Sequence, residues 1–179
     1  MINDIENILL TKEQIEETVF SLGGKISRDY AGKNLLLVGL LKGAAVFMSD
    51  LMRAIEIPAA IDFMAVSSYG SGTKSSGVVK IVKDLSIDIS DYDVLVVEDI
   101  LDSGMTLSYI LEILTAKNPR SIRLCTLLSK PSRRVVPIEA DYEGHIIPDE
   151  FIVGYGLDYG EKYRNLPFIG VLKKSVYEG

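Results

Sequence analysis

The sequence predicts an α/β protein whose mostly parallel sheet is flanked by helices. Three observations carry this. Short apolar runs without internal charge recur, at Leu35-Leu36-Leu37-Val38 and Val94-Leu95-Val96-Val97. Segments with apolar residues at helical spacing separate them. Alternation of the two kinds implies crossover connections, hence parallel pairing with helices over the faces.

The elements follow in order. Thr11 and Gln14 stand at capping-box spacing, so the N-terminal region reads as a helix starting there. Ile15, Val19, Leu22 and Ile26 continue it. The run Leu35–Leu41 is the longest uncharged apolar stretch and reads as a strand buried on both faces. Residues 44–55 read as the next helix, stopped by Pro58, and 60–66 as a strand. Residues 67–77 hold three glycines and five serines in eleven positions. Such a stretch buries too little to order itself, and reads as a hairpin-like connection or a mobile functional loop. Strands are then expected at 78–82 and 94–97, a helix at 107–114, and strands at 122–128, 151–153 and 168–172. In such sheets ligands bind beyond the carboxyl ends of the strands, which directs attention to the residues after Val38 and Val97.

Composition excludes several classes. A chain of 179 residues fits one domain, 1–179. A single cysteine, Cys125, and a single histidine, His145, rule out an intrachain disulfide, Cys-rich zinc sites and His clusters. Cys125 reads as buried packing and His145 as a surface or turn residue. Arg133-Arg134 reads as a solvated turn or a subunit contact. With 25 acids against 19 Lys and Arg the net charge is −6, which argues against a nucleic-acid partner. The longest apolar run is far too short to span a membrane. No basic segment followed by an apolar one opens the chain, so export is not expected and a reduced, cytoplasmic protein is.

Chemistry concentrates after the second apolar run. From Val94 the chain reads Val-Leu-Val-Val-Glu-Asp-Ile-Leu-Asp-Ser-Gly-Met-Thr-Leu. Ser-Gly-Met-Thr opening a helix offers free backbone N–H groups, hydroxyls and the positive end of a dipole, which suits a phosphate. Glu98, Asp99 and Asp102 repel one another unless a cation or hydroxyl donors share them, and Mg2+ or a sugar diol would meet that need.

The whole pattern resembles the phosphoribosyl-pyrophosphate (PRPP) signature of the type I phosphoribosyltransferases. Its Val-Glu-Asp-Ile-Leu-Asp-Ser-Gly form looks most like their 6-oxopurine branch, the hypoxanthine-guanine phosphoribosyltransferases. It is neither a Walker loop nor a dinucleotide fingerprint. Further matches follow in the family's order: Leu40-Leu41-Lys42-Gly43, Ser68-Tyr69, Lys130, the segment from Ile147 to Tyr159, and Tyr163-Arg164-Asn165-Leu166-Pro167.

The resemblance implies the type I fold with a small hood built from the N-terminal segment and residues near 147–170, and a lid at about 67–77. It also implies an activity: transfer of 5-phosphoribosyl from PRPP to N9 of hypoxanthine or guanine, releasing pyrophosphate, with Mg2+. Asp102, Ser103, Gly104, Met105 and Thr106 would cradle the 5′-phosphate, Gly104 permitting close backbone approach. Glu98 and Asp99 would take the ribose hydroxyls, directly or through Mg2+. Asp102 would face purine N7 as general base or acid. Lys42, Gly43 and Arg164 would bind pyrophosphate, with a sometimes cis peptide at the position matching Leu41–Lys42. Asp158 would ligate a second Mg2+ and lie near position 2 of the base. Phe151 would stack on the purine and the Ile152 backbone would meet its Watson–Crick edge. Lys130, a donor without an acceptor, would select a 6-oxo group over a 6-amino group. Ser68 and Tyr69 would belong to the lid. Family members are commonly dimers or tetramers, so a homo-oligomer is expected. Two other readings stay open: a xanthine-preferring phosphoribosyltransferase, and a non-catalytic PRPP-sensing regulator on the same fold, which the net charge of −6 disfavours.

Overall fold

The structure is a computed structural model that describes residues 1–68 and 79–178. Tyr69 and most of the 67–77 segment lie outside the described residues. The main sheet is built from β2 (Leu35–Leu41), β3 (Ala59–Ser68), β4 (Val79–Lys83), β5 (Asp93–Leu101), β6 (Ser121–Ser129) and β7 (Tyr142–Ile146), in the order β4-β3-β2-β5-β6-β7. All neighbours pair in parallel except β3 and β4. A second, three-stranded antiparallel sheet joins β1 (Ile5–Leu10) to β9 (Ile169–Leu172) and β8 (Ile152–Val153). This is the hood of N- and C-terminal segments.

The uninterrupted apolar runs follow from burial on both faces. Leu35, Leu37, Leu95 and Val97 pack with Ile15, Val19, Leu22 and Ile26 of α1 (Lys12–Asp29) and Phe47, Met48 and Leu51 of α2 (Ala45–Ala54). The alternate residues Leu36, Val38, Val94 and Val96 pack with Leu107, Ile110 and Leu114 of α3 (Met105–Ala116). Each such side chain contributes ~1.5–3 kcal/mol on burial. The Thr11 capping box is present in both directions.

Three features depart from the sequence-based expectations. β5 does not end at Val97 but continues to Leu101, carrying Glu98 and Asp99 as strand residues. β1 precedes the first helix and β7 edges the main sheet. His145 is not a turn residue: it lies on β7 and shares a 2.7 Å hydrogen bond with Thr18 of α1.

The strand order positions the site. β2 has β3 on one side and β5 on the other, so the chain leaves β2 in one direction and returns on the opposite side. The crevice beyond the carboxyl ends of β2 and β5 is therefore a topological switch point, where open α/β sheets bind ligands.

Candidate active site

The loop after β2 carries a cis peptide between Leu41 and Lys42. It turns directly against β5: a Cβ built on Gly43 would lie 1.9 Å from Asp99 Oδ2. No side chain fits there, so glycine is required by contact with the carboxylate. Lys42 points outward, its Nζ 2.9 Å from Glu161 Oε2.

Glu98 and Asp99 sit at the end of β5 with little access to water. Glu98 Oε2 is buried and has no hydrogen-bond partner among the described residues. Burial holds the Glu98 carboxyl well above the usual range, and the neighbouring Asp99 charge adds to this. Burial likewise pushes Asp99 up to about 6, against hydrogen bonds from the Ile100 and Asp99 amides. An orphaned carboxylate oxygen beside a second buried acid suits a divalent cation or a pair of hydroxyl donors. The described residues contain no cluster of three or more metal-ligating side chains. Glu98, Asp99 and Asp158 thus form no joint protein-only centre. Mg2+ characteristically takes one or two carboxylates and completes its shell with water and substrate phosphate oxygens, and the residues present fit that mode.

Beyond β5 the chain turns through Asp102 and Ser103 into α3, whose N-cap is Gly104. A helix N-terminus of this kind, with no side-chain cap hydrogen bond, has the chemistry to bind an anion. Gly104 has φ 82°, and a Cβ there would meet Ile138 Cγ2 at 2.4 Å and Val136 Cγ2 at 2.9 Å. Glycine is thus demanded by the left-handed turn and by packing from 136–138, not only by approach to a ligand. The Met105 amide lies 3.4 Å from Ser103 Oγ, and Thr106 is exposed on the first turn.

A cavity of about 410 Å3 opens beside this loop, lined by Ile100, Asp102, Lys130, Arg133, Asp149, Glu150, Phe151, Ile152, Leu157 and Tyr177. Four of these, Asp102, Lys130, Phe151 and Ile152, are residues singled out from sequence. Lys130 follows β6 and is 7% exposed. Its Nζ donates to the Glu150 carbonyl at 2.7 Å and lies 3.8 Å from Asp149 Oδ1. Phe151 is partly exposed, with Tyr177 of α4 (Lys174–Tyr177) stacked on it at 4.7 Å and 23°. Tyr159 meets Phe151 edge-on at 5.6 Å. A larger cavity of about 600 Å3, lined by Arg134, Ile138 and Glu143 among others, includes none of the expected site residues. Convergent chemical groups rather than volume select the site.

Asp158 and Arg164 are brought together. Arg164 Nη2 lies 2.9 Å from Asp158 Oδ1 and 3.4 Å from Glu161 Oε1, while Nη1 donates to the Gly156 carbonyl at 2.7 Å. Its Nε is buried without a partner among the described residues, so part of the guanidinium still lacks an acceptor. Backbone strain concentrates in this segment: Tyr155, Glu161 and Tyr163 have φ of 50°, 63° and 76°. Such conformations gather where a site is held in one geometry.

Sequence reasoning missed two groups. Arg133 and Arg134 do stand on an exposed turn, as expected, but both are also bonded to the corner between β5 and α3. Arg133 Nε donates to Asp102 Oδ1 at 2.8 Å, and Arg134 Nη1 donates to the carbonyls of Leu101 and Asp102 at 3.0 and 2.6 Å. Tyr177 is the other. The arginine contacts join positions more than thirty residues apart, so no local pattern signals them. Of the expected residues, Tyr69 lies outside the described ones, and Ser68 is placed only by its backbone pairing with Val79.

Residues 7–160 match the phosphoribosyl transferase domain. The chain belongs to that family. Among relatives of this phosphoribosyl transferase domain, a Staphylococcus aureus hypoxanthine-guanine phosphoribosyltransferase is 54% identical over 177 residues, 99% of each chain. A Listeria monocytogenes bifunctional protein TilS/HprT is 51% identical over 177 residues, 99% of this chain but 27% of that protein's length, so the chain spans about a quarter of such longer relatives. A solved Staphylococcus aureus hypoxanthine phosphoribosyltransferase superposes with TM-score 0.97 at 53% identity, covering 100% of this chain and 97% of that one. A Trypanosoma cruzi hypoxanthine phosphoribosyl transferase superposes with TM-score 0.92 at 39% identity, covering 97% and 94%. No helix among the described residues is long and apolar enough to cross a membrane.

Proposed function

We propose that this protein is a purine salvage enzyme that transfers 5-phosphoribosyl from PRPP to N9 of hypoxanthine or guanine and releases pyrophosphate. The observation that carries this reading is the shared cavity of Asp102, Lys130, Phe151 and Ile152, which adjoins the α3 N-terminus. Its relatives' names support the same activity.

Each group has a task in that reaction. The α3 amides and the hydroxyls of Ser103 and Thr106 hold the 5′-phosphate, with Met105 contributing its backbone. Glu98 and Asp99 accept from the ribose hydroxyls. Lys42, the Gly43 amide and Arg164 hold pyrophosphate; the exposed Lys42–Glu161 pair costs little to exchange for it. Phe151 stacks on the base, the Ile152 backbone meets its edge, and Lys130 donates to O6. Asp102 accepts the purine proton as N9 becomes the nucleophile, a task that requires hydrogen-bond reach before a tuned pKa. Glu98 and Asp99 would hold one Mg2+ and Asp158 a second, each completed by substrate oxygens, and the metal would supply charge neutralisation of the leaving pyrophosphate. The lid role that the resemblance implies for Ser68 and Tyr69, the latter outside the described residues, would serve to keep water from the oxocarbenium-like centre. We read the chain as one cytoplasmic domain that assembles as a dimer or tetramer.

A PRPP-dependent assay with hypoxanthine, guanine, xanthine and adenine tests the proposal. Nucleotide formation from hypoxanthine or guanine, with adenine inert, is expected. Turnover of xanthine alone would favour the xanthine-preferring reading, and PRPP binding without turnover of any base would favour the sensor.

A further inference from the structure

Asp102 is clamped by two consecutive arginines. Arg134 takes its backbone: Nη1 donates to the Asp102 carbonyl at 2.6 Å and to the Leu101 carbonyl at 3.0 Å, and Nη2 donates to Ser129 Oγ at 2.9 Å. Arg133 takes its side chain, with Nε 2.8 Å from Oδ1. Both arginines are themselves fixed. They close the short 3-10 turn Pro131–Arg133, whose start is tied to β5 by the Lys130 amide donating to the Leu101 carbonyl at 3.0 Å. The Arg133 amide then donates to the Lys130 carbonyl at 3.0 Å. The turn that delivers Lys130 to the cavity therefore also delivers Arg133 to Asp102.

Arg133 is half exposed, and an ion pair in open water would contribute little. This one lies on the wall of the base cavity, so a bound base would remove water from it and strengthen it. Its Nη1 also faces Asp149 at 3.5 Å, which in turn faces Lys130. Lys130, Asp149, Arg133 and Asp102 thus line one rim with alternating charge.

We propose that Arg133 is a positioning residue for proton acceptance: by holding Oδ1 of Asp102, it leaves the other carboxylate oxygen directed at the bound base. This rests on the reading of Asp102 as the proton acceptor. Arg133 touches the carboxylate rather than the reacting atoms, so its effect must run through Asp102.

A double-mutant cycle with Arg133→Ala and Asp102→Asn separates the possibilities. Steady-state rates are measured with hypoxanthine and PRPP. Arg133→Ala is expected to lower kcat about three- to tenfold, the size of one partly screened charge-assisted hydrogen bond, with the KM for PRPP essentially unchanged. Arg133→Lys should recover part of the loss, because it restores charge without the fixed planar fork. In the Asp102→Asn background the same Arg133→Ala change should have almost no effect. An equal loss in both backgrounds, or none in the wild-type background, overturns the inference while leaving the role of Asp102 intact. Wild-type turnover in Asp102→Asn alone overturns the reading of Asp102 and this inference with it.

Discussion

The Oδ2 of Asp99 occupies the space that a Cβ on Gly43 would need, 1.9 Å from the ideal position. The loop after β2 and the carboxylate at the end of β5 are therefore fitted to each other, although they come from opposite sides of the switch point. Gly43→Ala must displace one of them. The variant should fold, at a cost of about 1–3 kcal/mol for overpacking, and lose about 10²-fold in kcat/KM, as expected when reacting groups shift by an ångström. Activity within threefold of wild type would show that the loop does not hold substrate.

Burial of Asp99 predicts a pH dependence. Its folded-state pKa of about 6 lies above the ordinary carboxylate value, so the native state binds this proton more tightly than the unfolded chain. The stability it contributes is fully present below pH ~4 and is lost as pH rises through ~6. In metal-free buffer Asp99→Asn should be more stable than wild type at pH 7.5, on the order of 3 kcal/mol, with the gap closing near pH 4. Urea unfolding at both pH values measures this. A variant no more stable than wild type at pH 7.5 would contradict the burial account.

Lys130 predicts base selectivity. Its buried ammonium donates to the Glu150 carbonyl and offers nothing that a 6-amino group could donate to. Adenine should be used about 10⁴-fold less well than hypoxanthine by kcat/KM, the penalty typical of an unpaired polar group in a site. Lys130→Met should narrow that ratio chiefly by impairing hypoxanthine. Equal use of both bases by the wild type would remove Lys130 from recognition.

Tyr177 predicts a base-site effect from the chain's C-terminal helix. Its ring is stacked on Phe151 and lines the cavity. Tyr177→Ala should raise the KM for base about two- to tenfold, the worth of one aromatic pair, and leave the KM for PRPP unchanged. Tyr177→Phe keeps the stack and should behave as wild type. Unchanged base KM in the alanine variant would make the stacking incidental.

What could be read from the sequence divides along physical lines. β2 and the Val94–Val97 part of β5 announce themselves because burial on both faces leaves no polar position there. β7 and β1 do not: each buries a single residue fully, and among the described residues β1 pairs only with β9, at the far end of the sequence. Glu98 and Asp99 looked like the start of a turn because acids end apolar runs, yet β5 carries them inward where a ligand would meet them. The site residues within the signature were visible as a local pattern. Arg133 and Tyr177 were not, since each reaches the cavity through a contact that no short spacing encodes.

The central claim is that Asp102, on the wall of the base cavity and at the entry to the phosphate loop, accepts the purine proton. Asp102→Asn keeps the size and the backbone of that residue. Its kcat with hypoxanthine, measured alongside PRPP affinity, tests the claim most directly. A fall of about 10²–10⁴-fold in kcat with PRPP affinity nearly unchanged is the predicted result. Wild-type kcat in that variant would contradict it.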